Sequence, residues 1–376
     1  MQGRGSAVNH AWRGCSRATA IVLAAVLLAG TVGCAEPPPE EPAVVDEVDS
    51  GFDVTSLRWD PSVLEGHLPG LVGWSRLNPA DPGGLVAIPE SGEPVTLWEA
   101  PAEDGVLCLP LAVDAAGPRM LVAVTLPGET GGEATSLVLL GPDGDAQLLE
   151  TPEGYEGVLS ATFAGDGVVA VVSHATSETF ETLPGTFTTS GAWKPLTLEG
   201  EVPEHQFIER VTAVPGTDAV ALLLKTPGGT GDRDDEALVL ARYEGDTLVT
   251  FTTAFRDDSL PGASPLWGSE GVVFPRTWRE VDGAPVIDLV TAVWADGSWS
   301  ERVLLEAAEI ASGIETGQVA AQAEDGTLWV RSAATGDQAG GSSLLRLDAQ
   351  AGTVTDTGTE LAGVDWFVWL GDPRDR

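Results

Sequence analysis

The chain has 376 residues, with 57 Asp and Glu against 19 Lys and Arg and a formal net charge of −38. This excess of negative charge repels phosphate backbones, and no stretch collects the basic residues, so a nucleic-acid partner is excluded. Hydrophobic residues make up 43% of the chain, which is enough for a buried core and excludes disorder along its whole length. The three cysteines are too few for a disulfide framework or a thiolate zinc site.

The first 33 residues have the pattern of an export signal. Arg4, Arg13 and Arg17 precede a mostly apolar, uncharged run over 18–33, which is shorter than the roughly 20 residues of a transmembrane helix. The run ends at Cys34, and a cysteine directly after small residues resembles a bacterial lipoprotein signal. The resemblance implies cleavage after residue 33 and a lipid on Cys34. An ordinary secretion signal with an incidental cysteine is the alternative.

The next segment, 34–51, is rich in Pro and acidic residues, a composition that is typical of a tether between an anchor and a domain. We expect a monomer that is lipid-anchored on the outer face of the bacterial cytoplasmic membrane, with a folded domain over 52–376. Cys108 lies within the apolar run VLCLPLAV, so we expect it to be buried rather than reactive.

From residue 52 onward the pattern predicts antiparallel β-structure. Short runs rich in Val, Leu, Thr and Trp alternate with Gly, Pro and Asp-Gly pairs, and Asp-Gly favours the positive φ angles of tight hairpins. The Asp-Gly pairs are at 104–105, 143–144, 166–167, 282–283, 296–297 and 325–326. The best candidate for a helix, 301–312, can equally be interpreted as a strand end and a loop.

The apolar runs repeat at a fixed spacing of about 50 residues, and four runs per unit are typical of a β-propeller blade. One run of each unit begins at residue 70, 119, 167, 218, 271 or 326. The first unit, 70–99, has three runs, and 364–370 is a single run after the last unit.

Pairing the run at 364–370 with the first unit would close a ring and remove two exposed sheet edges. The sequence therefore predicts an all-β, six-bladed propeller over 52–376. A seven-bladed ring, with 53–59 as an additional strand, and a tandem of β-sandwiches are the alternatives.

Two segments, GVVAVVS within 158–173 and DEALVLARYEG at 235–245, resemble repeats of the TolB-like (WD40-like) propellers of bacterial envelopes. EDGTLWV at 324–330 resembles the blade motif of sensor-type propellers. The resemblance covers most of 70–370 and implies a propeller in the cell envelope. It assigns no functional residue, because propellers host many unrelated activities.

The histidines after the signal, His67, His174 and His205, lie far apart and lack metal-ligand spacing. We expect His174, at the end of a strand-like run, to be structural. No G-x-S-x-G elbow is present, and the Gly-rich stretch 226–232 lacks the Lys-Ser/Thr of a phosphate-binding loop. The sequence predicts no cofactor.

Two further features leave alternatives open. The acidic loops 141–147 and 231–237 could ligate Ca²⁺, but neither has EF-hand spacing, so solvated loops are the preferred interpretation. Tyr155 and Tyr243 are too few tyrosines to predict a sialidase-type site. We expect most tryptophans to pack between sheets, and a few could bind a glycan or peptide at the channel mouth. The tryptophans after the signal are Trp59, Trp74, Trp98, Trp193, Trp267, Trp278, Trp294, Trp299, Trp329, Trp366 and Trp369.

Two functions are compatible with these patterns. Because no catalytic constellation recurs between units, the sequence favours a non-catalytic, membrane-anchored binding or scaffold propeller for a protein, peptide or glycan. Its acidic surface favours cationic partners. The alternative is an extracytoplasmic hydrolase or lyase with carboxylates in the central funnel and assistance from Ca²⁺.

Overall fold

The computed structural model describes residues 52–75, 84–101, 106–114, 117–127, 133–155, 157–165, 167–175, 180–200, 206–214, 217–226, 236–256, 266–267, 272–281, 284–305, 314–322, 327–332, 342–348, 353–361 and 363–370. The predicted signal, Cys34, the tether, His205 and residues 231–235 lie outside these ranges. In the described part of the chain no helix is long and apolar enough to cross a membrane.

The described residues form strands and two short 3₁₀ helices. The helices are η1 (Val54–Ser56) and η2 (Pro61–Leu64). The strands are β1 (Gly70–Ser75), β2 (Gly84–Ile88), β3 (Val95–Glu99), β4 (Leu107–Asp114), β5 (Arg119–Pro127), β6 (Glu133–Leu140), β7 (Ala146–Leu149), β8 (Gly157–Ala164), β9 (Gly167–Ala175), β10 (Phe180–Phe187), β11 (Trp193–Pro195), β12 (Thr197–Glu199), β13 (Phe207–Ala213), β14 (Ala219–Lys225), β15 (Glu236–Glu244), β16 (Thr247–Thr250), β17 (Leu266–Trp267), β18 (Val272–Val281), β19 (Ala284–Ala295), β20 (Ser298–Leu305), β21 (Ile314–Gln322), β22 (Leu328–Ser332), β23 (Ser343–Asp348), β24 (Thr353–Glu360) and β25 (Val364–Leu370).

Within the described ranges the strands form six propeller-like sheets, antiparallel except that β12 pairs with β16 in parallel. In chain order they are the first sheet (β25-β1-β2-β3), the second (β4-β5-β6-β7), the third (β8-β9-β10-β11), the fourth (β13-β14-β15-β16-β12), the fifth (β17-β18-β19-β20) and the sixth (β21-β22-β23-β24). The all-β prediction is confirmed, and β20 covers the start of the 301–312 segment for which a helix was the alternative.

The second strand of each sheet explains why the sheets must stack. All residues of β14 from Ala219 to Leu224 are buried, so both faces of this strand lie against other sheets. Val220, Leu222 and Leu224 belong to a core cluster with Val169 of the third sheet. The sequence of a strand that is buried on both faces is continuously hydrophobic and does not alternate between apolar and polar residues.

The strands β25, β4, β8, β13, β17 and β21 each occupy one edge of their sheet, and we call them inner strands. Among them β4 lies beside β8, β8 beside β13, β17 beside β21, and β21 beside β25. Because pairing is antiparallel, an inner strand begins at the same end of its sheet at which the second strand ends and the third strand begins. We call this end of the third and fourth sheets the upper rim.

At the opposite end, backbone hydrogen bonds connect consecutive sheets. The N–H of Glu150, after β7, donates to the carbonyl of Gly191 in the third sheet at 3.0 Å. Thr197, two residues after β11 of the third sheet, begins β12, and its N–H donates to the carbonyl of Asp246 within the fourth sheet at 3.0 Å. The N–H of Trp59 donates in the same way to Gly144 of the second sheet at 3.3 Å. Each acceptor lies in the turn between the third and fourth strands of its sheet, so the turns hold the neighbouring sheet in place.

The first and last parts of the chain meet in the first sheet. Residues Gly70–Trp74 of β1 pair in antiparallel register with Leu370–Trp366 of β25. Val364, Phe367 and Leu370 of β25 are buried. The C-terminal strand therefore contributes to the core as well as to the hydrogen-bonding of β1.

The segment before β1 does not supply a strand to a seventh sheet. Residues 53–59 form η1 and a single bridge between Arg58 and Asp145. Asp53 caps η1 by accepting from the side chain and the backbone N–H of Thr55, and these bonds lower the pKa of the Asp53 carboxyl. Trp59 is buried against the first and second sheets, and its Nε1 donates to Gly141. The segment therefore packs between the first and second sheets.

Alanine substitutions at two glycines with nearly equal φ test how closely the turn at Gly191 approaches the neighbouring sheet. Gly191 has φ 85° and a Cβ there would lie 2.6 Å from the carbonyl oxygen of Leu148, whereas Gly154 has φ 86° and open space around its Cβ position. Gly154→Ala should cost about 1–2 kcal/mol from backbone strain alone. Gly191→Ala should cost about 1–3 kcal/mol more, because overpacking adds to that strain. Urea denaturation of the two variants measures the difference, and equal losses would contradict the close approach at Gly191.

Candidate functional site

A charged residue stands inside one inner strand at the upper rim. The register of β13 against β14 shifts between Ile208 and Arg210, so Glu209 has no partner in β14 and forms a β-bulge. The inner strands β4 and β8 also have bulges, where Leu111 and Leu159 are skipped. The bulge of β8 is at the third residue of the strand, as in β13, and that of β4 is at the fifth. Bulges redirect a side chain and are common beside functional sites. Among these three bulges, only that of β13 carries a charged residue.

The Glu209 carboxylate is bridged to a second carboxylate by a lysine. Lys225 Nζ lies 3.4 Å from Glu209 Oε1 and 3.5 Å from Glu236 Oε1. The side chain of Glu209 is 14% exposed, that of Glu236 22% and that of Lys225 35%. We call these three residues the rim triad. Since one ammonium contacts both carboxylates, its charge offsets their mutual repulsion in a partly desolvated place.

The two oxygens of the Glu209 carboxylate differ in their contacts. Glu209 Oε2 is buried and makes no hydrogen bond within the described part of the chain. An ionised carboxylate oxygen accepts hydrogen bonds strongly. The triad thus presents an acceptor, held on a bulge, beside a cation.

Arg210, the residue after the bulge, is also part of the rim. Burial lowers the pKa of its guanidinium below the ordinary value, and the neighbouring Glu209 carboxylate opposes that shift. Gln206, just before β13, donates from Nε2 to Thr226 Oγ1 at 3.3 Å. Charged and amide groups therefore flank the triad on both sides along β13.

Aromatic side chains border the triad on the side of the third sheet. Phe207, which lies opposite Lys225 in the register, packs edge-on against Phe180 with ring centroids 4.8 Å apart. Farther along the rim, His174 packs edge-on against Tyr155 at 6.1 Å and lies opposite Glu181 in the register. The upper rim thus combines three carboxylates with a histidine, a lysine and an arginine.

The other residues singled out from the sequence lie elsewhere. His67 follows η2 and donates its backbone N–H to Leu64. Cys108 is buried in the core between the first and second sheets. Burial raises the pKa of the Tyr243 hydroxyl, which lies near the opposite end of β15. None of these three positions falls on the upper rim.

The tryptophans for which the side chain is described pack mostly as core. Trp329 is 2% exposed and belongs to the cluster between the sixth and first sheets, beside Trp369. Trp294 and Trp299 face each other across the hairpin at Asp296, with centroids 5.3 Å apart, and Trp299 Nε1 donates to Thr253 of the fourth sheet. These contacts join sheets and place no tryptophan ring beside the rim triad.

The described residues offer no group of three or more His, Cys, Asp or Glu side chains that could hold a metal ion. In the 141–147 loop, Asp145 lies 3.4 Å from the guanidinium of Arg58. The second acidic loop lies mostly outside the described ranges.

Sequence reasoning missed the rim triad. The available signal was FIERVTA, in which a Glu-Arg pair interrupts an inner strand, whereas LCLPLAVD and GVLSATFA carry no charged residue in their first seven positions. Lys225 was a second signal, since it ends a strand of otherwise apolar residues. The Glu209–Lys225 contact depends on the bulge, which the sequence does not show, whereas Lys225 and Glu236 are direct partners in the β14–β15 register.

No protein-family model matches the chain, and no curated protein sequence does. Solved structures are similar at low identity. A candidate 6-phosphogluconolactonase from Bacteroides uniformis has 12% identity and a TM-score of 0.42, over 76% of this chain and 94% of that chain. A β-fructofuranosidase from Bombyx mori has 12% identity and a TM-score of 0.35, over 77% of this chain and 75% of that chain. Dipeptidyl peptidase 4 of Porphyromonas gingivalis has 12% identity and a TM-score of 0.39, over 80% of this chain and 52% of that chain.

These comparisons correct one expectation. The non-catalytic binding or scaffold propeller, and with it the prediction that the chain is not an enzyme, is contradicted, because the similar structures are described as enzymes. The neighbours bear on the fold and bring no residue or substrate to this chain. Any chemistry has to be argued from the rim itself.

Proposed function

We propose that the chain is an extracytoplasmic hydrolase whose reaction takes place at the upper rim of the third and fourth sheets. The observation that carries this proposal is the contact of Glu209 and Glu236 with the same Lys225 ammonium. The site is open to solvent at Lys225, so water is the nucleophile at hand. A carboxylate and a fixed cation are the groups that activate water and stabilise a developing oxyanion.

The triad assigns a role to each member for a neutral ester or lactone. The Glu209 carboxylate takes a proton from water as the water oxygen attacks the carbonyl carbon, and the carbonyl oxygen gains the negative charge beside Lys225 Nζ. When the tetrahedral intermediate collapses, the C–O bond to the leaving group breaks and Glu209 returns the proton to the leaving alkoxide. Glu236 holds the Lys225 ammonium in place through its contact with Nζ.

Charge restricts the substrate. The net charge of −38 and the three rim carboxylates repel anions, so a neutral substrate is favoured over a phosphorylated or carboxylated one. The Phe180–Phe207 pair next to the triad offers an apolar surface for the non-polar part of an ester.

We also propose a lipoprotein with a TolB-like propeller, held on the outer face of the cytoplasmic membrane through Cys34. The basic start, the apolar run and the Pro-rich tether support this location, and the protein acts there as a monomer. The six sheets are proposed to close into one six-bladed ring through the pairing of β25 with β1.

Glu209→Gln tests the hydrolase. With p-nitrophenyl acetate, p-nitrophenyl butyrate and δ-valerolactone as probes, kcat/KM of the variant should fall by about 10²–10³, as expected when a general base is removed. Glu199→Gln, an exposed position on β12 away from the rim, is the matched control and should hydrolyse like the wild type. The hydrolase assignment fails if the wild type turns over none of the three probes, or if Glu209→Gln turns them over at the wild-type rate.

Cys34→Ser tests the anchor. Cells that express the wild type should incorporate a labelled fatty acid into the protein and retain it in the membrane fraction. Cells that express Cys34→Ser should do neither, because the acyl acceptor is gone. Equal labelling of the two proteins would refute the lipid anchor in favour of plain secretion.

Shortening the chain tests the ring. A chain that ends at residue 363 lacks β25 and the buried Phe367, and exposes the edge of β1, so its melting temperature should fall by about 10 °C or the chain should fail to fold. A chain that ends at residue 370 retains β25 and should melt like the full-length protein. Similar melting of both chains would contradict closure through β25.

A further inference from the structure

The bulge that presents Glu209 is held from both sides by hydroxyl groups of the third sheet. Before the bulge, the N–H of Ile208 donates to Thr182 Oγ1 at 3.0 Å. After it, the N–H of Val211 donates to Ser160 Oγ at 3.2 Å, and the carbonyl of Val211 accepts from the same hydroxyl at 3.1 Å. β13 is an edge strand, so the backbone groups that its own sheet leaves unpaired are satisfied by these side chains.

The threonine of the second sheet that corresponds to Thr182 makes a different hydrogen bond. Thr135 of β6 corresponds to Thr182 of β10, since each faces the residue that pairs with the first residue of its inner strand. Thr135 bonds instead to Thr125 of its own sheet at 3.2 Å. The bulge beside Thr135 carries Leu159 in place of a charged residue. The hydroxyl bond to a neighbouring backbone therefore coincides with the bulge that carries Glu209.

We infer that Thr182 is a positioning residue for Glu209. Its Oγ1 fixes the backbone at Ile208, one residue before the bulge, and thereby fixes the direction in which the Glu209 side chain leaves the strand toward Lys225. The inference rests on the proposed function for its catalytic consequence, but the placement of Glu209 beside Lys225 can be measured without any substrate.

A second hydroxyl that accepts a hydrogen bond from the backbone of β13 provides a matched control. Thr162 Oγ1 accepts from the N–H of Ala213 at 3.3 Å, which is the same kind of bond between the same two sheets, beyond the bulge. Thr182→Val and Thr162→Val each remove one hydroxyl, keep the side-chain shape and leave one backbone N–H without its partner. A purely structural role predicts that the two variants behave alike.

The experiment compares wild type, Thr182→Val, Thr182→Ser and Thr162→Val. The first readout is the ¹³C shift of Glu209 Cδ at pH 7, assigned by its absence in Glu209→Gln. The second is the Glu209 Oε1–Lys225 Nζ distance in crystal structures. In Thr182→Val the Cδ resonance should move and the distance should lengthen, whereas Thr182→Ser and Thr162→Val should match the wild type.

Kinetics give a third readout on the same proteins with p-nitrophenyl butyrate. Thr182→Val should lower kcat by about tenfold with little change in KM, since it misplaces a group that acts in the transition state, and Thr182→Ser should restore it. If Thr182→Val and Thr162→Val lower the melting temperature equally and leave the Glu209 resonance unchanged, Thr182 is only structural and the inference is wrong. If the wild type lacks esterase activity but the resonance moves, the hydrolase proposal fails while the positioning role stands.

Discussion

Burial of both sheet faces is the constraint on which the rest of this structure depends. A sheet that is apolar on two faces cannot be stable alone, because each face needs another sheet to exclude water. β14 shows this within one strand: Val220 and Leu222 pack toward the third sheet, while Ala221 belongs to the cluster that contains Val290 of the fifth sheet. Successive sheets must therefore stack, and each sheet serves two interfaces.

When sheets stack by their faces, the backbone N–H and carbonyl groups at their edges still need hydrogen-bond partners. At the inner edge, hydroxyls such as Ser160 and Thr182 reach the backbone of the next inner strand. At the turns of the third and fourth strands, residues after one sheet donate to the next, as Glu150 does to Gly191. Apolar burial thus fixes which sheets are neighbours, and polar contacts at the edges fix their alignment.

The rim triad lies at a β-bulge, where one residue is outside the strand pairing. A bulge releases one residue from the ladder, so the side chain at that position can be charged without disrupting strand pairing. Leu111 and Leu159 occupy the bulges of β4 and β8, where a partly buried apolar side chain packs against the core. In β13 the position is Glu209, and its charge is stabilised by Lys225 from the adjacent strand. A charged residue at the bulge thus distinguishes the candidate reactive site in β13 from the bulges of β4 and β8, which carry leucine.

The sequence by itself determined the strands and their repeat. Runs such as GVVAVVSHA and AVALLLK, punctuated by Gly and Asp-Gly, define two-faced strands because backbone geometry and apolar patterning act locally. The apolar run VLCLPLAV also predicted that Cys108 is buried. The tertiary structure alone decided what residues 53–59 do, since Trp59 packs and hydrogen-bonds with a turn more than eighty residues away. It likewise decided how Glu209 joins the site: Lys225 and Glu236 are direct partners in the β14–β15 pairing, whereas Glu209 meets Lys225 at a register shift in β13. The hydrophobic pattern and the turns set the register of most of a strand, but they do not locate the residue at which β13 bulges, where the backbone on both sides of Glu209 bonds to hydroxyls of the third sheet.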